Sequence, residues 1–278
     1  MNLLVAILLA LSLAQDAAGP NLHDIIQNAF HNQERNQKQA ENYNYQERSV
    51  VRTLDGDGSV KKTEVRTFDV LWIEGSQQRR LIARDDQPLS ADEARKVEQE
   101  FDKASEKRRN ESDSERQKRL KKQAEGKQKG EELIRAVLDA YDFRFAGHDT
   151  VSGIACFMID ATPRPSYKGH DTVTNLLKHI SGRMWITEDD NELVKVDAIA
   201  LDNIRFGWFL ATVGKGTHLR FEQVRINNEV WLPSHAAVKV SARALFKKLN
   251  IEQETSYSGY KKFRVDTKVT GMTGAEPR

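Results

Sequence analysis

Residues 43–74 read YNYQERSVVRTLDGDGSVKKTEVRTFDVLWIE. Two extended runs, 43–53 and 59–74, flank Asp55-Gly56-Asp57-Gly58, a dense hairpin-turn signal. In the second run Phe68, Val70 and Trp72 share one face by period two, and Thr67, Asp69, Leu71 and Ile73 share the other. A turn at Gly75-Ser76 leads into a third strand, 77–84.

The same grammar returns after residue 141. Strands are expected at 142–148, 153–161, 183–187, 193–204, 206–213, 217–226, 230–240, 250–257 and 260–269. Short polar turns at Asp189-Asp190-Asn191, Gly214-Lys215-Gly216, Asn227-Asn228 and Ser258-Gly259 join them. Consecutive strands on short turns make an antiparallel meander. One helix interrupts it: Val173, Leu176, Leu177 and Ile180 share a face, Asp171 can cap the start, and Gly182 ends it. The expectation is a mainly β fold of about eleven or twelve strands with three helices.

Ahead of the hairpin, Asn21 caps a helix whose Leu22, Ile25, Ile26, Ala29 and Phe30 form one apolar stripe. Before that, residues 3–14 read LLVAILLALSLA. This uncharged run is too short to span a bilayer and fits a signal-peptide core. Ser12 and Ala14 place a cut before Gln15, with Asp16-Ala17-Ala18 as a later alternative. The expected organisation is a signal peptide over 1–14 and a single exported, unanchored domain over 15–278.

Within that domain, residues 85–130 change character. Ser90 and Glu93 form a capping box. Beyond it apolar residues nearly vanish and both signs of charge interleave, so the stretch is read as one exposed helix or a partly disordered insertion. From Arg116 to Lys129 seven bases face one acid, Glu125. Such a segment is either a docking arm for an acidic surface or anionic headgroups, or a solvated insertion without a partner, the commoner case. Leu133, Ile134, Val137, Leu138 and Tyr141 then bring a helix end back onto the body.

Composition excludes several classes of function. Lys plus Arg number 43 and Asp plus Glu 41 in 278 residues, a net charge of +2, without the basic excess of a dedicated nucleic-acid binder. Cys156 is the single cysteine, so there is no intrachain disulfide and no multi-cysteine metal site. It lies in the apolar run ACFMI and reads as a small core residue. The DGDGS run fails the calcium-loop template, which wants Gly and Glu where Val60 and Arg66 stand. Gly214-Lys215-Gly216-Thr217 lacks the leading glycine of a phosphate loop; Leu210 occupies that position. The seven histidines show no metal-ligand spacing, and no nucleophile elbow is present. No catalytic residues, cofactor or metal are expected.

The aromatics are more informative. Phe68, Trp72, Trp185, Trp208, Phe221 and Trp231 all fall on expected strands, Phe206, Trp208 and Leu210 share one face, and Leu219 and Phe221 share another. A large sheet with few helices must close around its core or leave an apolar trough. The candidate trough residues are Phe68, Trp72, Trp208, Leu210, Leu219 and Phe221, and a trough of that kind suits an acyl chain.

The order export signal, amphipathic helix, hairpin, inserted segment and meander resembles the LolA-like superfamily, which includes outer-membrane lipoprotein-sorting proteins and RseB-type periplasmic sensors. The runs that carry the resemblance are LDGDGSV, GRMWITEDDNELVKV, NNEVWLPSHAAVKVSA and the terminal YSGYKKFRVDTKV, within 21–84 and 142–269. It implies an unclosed antiparallel β-barrel wrapped around helices, with an apolar cavity for acyl chains. It also implies a lid-contacting arginine, for which Arg66, Arg79 and Arg80 are the candidates. The charged insertion is longer than in typical carriers. The expected function is a periplasmic, non-enzymatic carrier of lipidic or acylated ligands of the lipoprotein-sorting type. The alternative is a sensor or scaffold that meets an envelope protein through the insertion. Partners are then a lipoprotein or lipid, an envelope protein, or transiently a membrane surface, with neither nucleic acid nor a transmembrane segment.

Overall fold

The computed structural model describes residues 20–73, 75–171, 173–206, 211–244 and 247–263. The expected signal peptide lies outside them, as do Trp208 and Leu210. Helix α1 (Leu22–Ala40) starts on Asn21, whose Oδ1 accepts from the Asp24 N–H at 3.4 Å. Strands β1 (Tyr43–Leu54), β2 (Val60–Ile73), β3 (Ser76–Arg84) and the two-residue β4 (Gln87–Pro88) follow. Helices α2 (Ala91–Arg109) and α3 (Asp113–Ala140) come next. The remaining strands are β5 (Tyr141–Val151), β6 (Ile154–Pro163), β7 (Ile180–Thr187), β8 (Leu193–Ala200), β9 (Ile204–Phe206), β10 (Ala211–Val213), β11 (His218–Ile226), β12 (Val230–Ala244) and β13 (Lys247–Lys262).

All pairings are antiparallel, and eleven strands lie on one path: β4-β3-β2-β1-β13-β12-β11-β8-β7-β6-β5. The ends of the path do not pair, so the sheet is an unclosed barrel, as the sequence suggests. Residues directly opposite on neighbouring strands share a face. One such row runs Arg66, Ser49, Thr255, Ala236, Phe221, Val196, Met184, Ile159, Phe145, from β2 to β5. Ile159, Met184 and Ile186 pack under Ile25, Ile26 and Ala29 of α1, with Leu22, Phe30 and Leu138 at the margin. This row therefore marks the inner face, and the apolar stripe of α1 is buried against it.

The outer face carries a different row. Arg144, Asp160, Arg183, Asp197 and Arg220 stand opposite one another on five successive strands, alternating in sign. Asp160 accepts from Arg144 Nη2 at 2.5 Å and from Arg183 Nε at 2.6 Å. A one-residue slip would put every one of these charges on the inner face, so the ladder pins the register. A second apolar cluster on this side holds Cys156, Trp185, Val194 and Trp231. Burial pushes the Cys156 thiol up to about 11, which keeps it an inert core group.

Four expectations about elements need correction. The 85–130 insertion is two helices: Ser112 with Glu115 forms a second capping box, which ends α2 at Arg109 and starts α3. Helix α3 then runs unbroken through Gly130 to Ala140, so no boundary falls at 130. The 206–213 strand is instead the pair β9 and β10, with Phe206 opposite Ala211. β12 outruns its neighbour β11, and β10 covers its free outer end at Ala242–Ala244. Ser258-Gly259 is a bulge inside β13, not a turn between two strands: the register opposite β1 shifts there and Gly259 takes φ +63°. The helix near Val173 is a short 3₁₀ helix of six residues, Thr174–His179, and Gly182 lies within β7.

Candidate ligand-binding cavity

Phe68 and Trp72 stand two and six residues from Arg66 on β2, so both lie on the inner face. Tyr45 sits across from Val70, and its ring lies 6.0 Å from Tyr257 and 5.3 Å from Tyr260. The three tyrosines and Trp72 thus make an aromatic wall along β2, β1 and β13. Burial, with the Glu47 carboxylate nearby, pushes the Tyr45 phenol up to about 12, and burial raises Tyr260 as well. Both remain neutral, and the Tyr260 hydroxyl donates to the Pro233 carbonyl at 2.6 Å.

Below this wall, Arg79 lies over the Phe68 ring at 4.0 Å and donates to Glu47 at 2.6 Å. Arg66 lines the same small recess of about 180 Å³, with Ser49, Val51, Glu64, Phe68, Arg79 and Gln253. Arg80 is on the outer face instead. It donates to Asp69 at 2.9 Å and to Glu98 of α2 at 3.1 Å, and its guanidinium stacks 5.5 Å from Phe101. Helix α2 therefore covers the outer side of β3, which leaves Arg66 and Arg79 as the inward-facing members of the three candidate arginines.

The larger cavity, about 540 Å³, opens between α1, the end of β2 and α3. Trp72 and Gly75 form its floor, Glu34, Gln37, Lys38 and Glu41 of α1 one side, and Leu120, Ala124, Lys127, Glu131 and Ile134 of α3 the roof. The volume falls within the range of about 300–1,000 Å³ usual for ligand sites. Its lining combines the apolar Trp72, Leu120, Ala124 and Ile134 with charges of both signs. The roof is tethered at one end by Gln123, which donates to the Gly75 carbonyl at 3.2 Å, and by Arg119, which donates to Glu111 at 2.8 Å.

Helix α1 is held over the sheet by buried polar groups. Asn32 donates to the Asp190 carbonyl at 2.8 Å and to the Asn191 carbonyl at 3.1 Å. The Glu192 carboxylate, with its side chain 4% exposed, accepts from Arg35 at 2.6 Å and from Asn36 at 2.7 Å. Burial lifts Glu192 above the ordinary carboxylate range, against the pull of Asn36 and Arg35. The β7–β8 turn is thus the clamp that holds α1, one side of the cavity, in place.

Of the six residues singled out in the sequence, Phe68 lines the small recess and Trp72 the large cavity. Phe221 lies in the inner row beside Val196, and Leu219, two residues on, is 46% exposed on the same face; neither lines the two cavities. Ile134 was read only as part of a helix end that packs on the body, and Tyr45, Tyr257, Tyr260 and Leu120 escaped sequence reading. Their signals were the alternation Tyr43-Asn44-Tyr45 and a lone leucine in a charged segment. Among the described residues no group of three or more His, Cys, Asp or Glu is placed to hold a metal, and no helix is long and apolar enough to cross a membrane.

No family model and no curated protein sequence matches the chain. Its fold is similar to solved proteins at low identity. A DUF1329 family protein from Desulfovibrio piger matches at 11% identity and TM-score 0.31, over 87% of this chain and 92% of its own. A LolA superfamily protein from Nitrosomonas europaea matches at 10% identity and TM-score 0.29, over 90% and 97%. The MucA/MucB complex of Pseudomonas aeruginosa provides a third match at 9% identity and TM-score 0.23, over 84% and 94%. At these scores the likeness carries no argument about function.

Proposed function

We propose that this chain binds amphiphiles bearing an acyl chain and performs no chemistry on them. The observation that carries the reading is the cavity of about 540 Å³ roofed by α3, lined by Trp72, Leu120 and Ile134 together with charges of both signs. The tail enters between the helices and the polar head stays at the rim. Burying about ten methylenes contributes about 8 kcal/mol, enough to offset much of the cost of association. In its sharp form, taken from the sequence resemblance, the protein is an exported periplasmic carrier of the lipoprotein-sorting type. Phe68, Leu219 and Phe221 then extend the apolar path along the inner face.

Leu120 is 50% exposed at the roof, so Leu120→Asp alters the cavity without touching the core. It is expected to weaken uptake of a palmitoyl-bearing fluorescent probe at least tenfold at an unchanged melting temperature. Unchanged uptake sinks the proposal. A scaffold role for the insertion is favoured by its order: Glu111, 9% exposed, gathers Arg108 and Arg119 at the turn between α2 and α3. Deleting the insertion does not separate the two roles, because α3 is also the cavity roof. A protein partner that is still retained by Leu120→Asp separates them.

A further inference from the structure

Helix α3 has two faces of opposite character. Leu120, Gln123, Ala124, Lys127, Glu131 and Ile134 step by three and four along the cavity side. Lys118, Lys121, Lys122, Glu125 and Lys129 follow the same stepping two residues out of phase, which places them on the opposite side, and all five are exposed. Between Lys118 and Lys129 the outward face thus carries four lysines against one acid; the stripe ends on Glu115, which is taken up by its capping box with Ser112, and on Glu132, which accepts from Gln128 at 3.0 Å. Among the described residues no ion pair engages those lysines, whereas Arg119 is turned to Glu111.

Lys118 stands three and four residues from Lys121 and Lys122, so the face concentrates like charge at spacings that weaken an isolated helix. Helix α2 shows the contrast: there Arg95 pairs with Asp92 and Arg80 of β3 with Glu98. We infer that the lysine face of α3 docks on the anionic headgroups of a lipid bilayer. The chemistry favours a bilayer over a protein. The outward face has no arginine, tryptophan or tyrosine to anchor a desolvated protein contact, and lysines hold diffuse anionic surfaces as hydrated point charges. Because the same helix roofs the cavity, docking holds the roof against the membrane with the cavity on its inner side. That consequence rests on the amphiphile-binding reading above; the docking itself does not.

The test is flotation of the full protein with vesicles of phosphatidylglycerol and phosphatidylethanolamine, and with phosphatidylcholine vesicles as the neutral control. The wild type is expected to float with the anionic vesicles, to lose at least tenfold of that binding at high salt, and to ignore the neutral ones. The quadruple variant Lys118→Gln, Lys121→Gln, Lys122→Gln, Lys129→Gln is expected to lose at least tenfold in anionic binding. All four sites are solvent-exposed, so a circular dichroism spectrum matching wild type is expected and checks the fold. Equal binding by the variant, or no binding of wild type to the anionic vesicles, overturns the inference. Probe uptake without vesicles keeps the two proposals apart: the variant takes up the palmitoyl probe like wild type if only docking is lost.

Discussion

Asn36 is 2% exposed and bonds in two directions: its amide donates to Glu192 and its carbonyl accepts from the Trp231 N–H at 3.3 Å. Asn36→Ala orphans a buried backbone donor and leaves Glu192 half-paired. Each loss costs about 1–3 kcal/mol, so urea unfolding should show a destabilisation of about 3 kcal/mol. Asp160 tests the outer ladder. The hydrogen bond from Arg183, then Arg144, holds its carboxyl below the ordinary range. A depressed folded-state value stabilises the fold above the unfolded-state pKa, and the gain is lost as pH falls through the folded value. Asp160→Asn is therefore expected to cost about 1 kcal/mol at neutral pH, with the difference from wild type fading on acidification. A difference that persists at low pH would assign the loss to packing.

Helix α3 holds two glycines, Gly126 and Gly130, on the cavity side, and a Cβ at either would meet nothing within 4 Å. Packing does not require them, yet each costs a helix about 1 kcal/mol relative to alanine. They stand within the roof, between Leu120 and Ile134, ahead of the packed end where Ala136 and Ala140 are buried. Gly126→Ala with Gly130→Ala should raise unfolding stability by about 2 kcal/mol and slow release of the palmitoyl probe. Faster release, or no gain in stability, would contradict a soft roof. At this scale the sequence spoke unevenly. The α1 stripe and the 55–58 turn were readable because each is set by neighbouring residues. The break at Ser112 was missed because a capping box inside a polar run looks like more of the same polar run. The β9–β10 pair and the bulge at Gly259 were missed because long-range partners, β12 and β1, decide them.

Across the whole molecule, an eleven-strand path without closure leaves an inner face that α1 and the end of α3 only partly cover. The antiparallel meander could be read from the short turns joining strand to strand, whereas its lack of closure was implied only by the resemblance to the LolA-like superfamily. The cavity was legible only in part. Trp72 and Phe68 carry a period-two signature and the stripe from Leu133 announces a helix end returning to the body, but no local pattern places Leu120 over Trp72. Trp185 and Trp231 looked alike in sequence to Trp72, yet they belong to the outer cluster with Cys156. The central claim is that the space between α1, α3 and Trp72 holds an acyl amphiphile. Native mass spectrometry of the protein mixed with a palmitoylated lipopeptide tests it most directly. The account predicts a one-to-one adduct, lost on denaturation and greatly reduced in Leu120→Asp. An apo mass alone for wild type at saturating lipopeptide would contradict it.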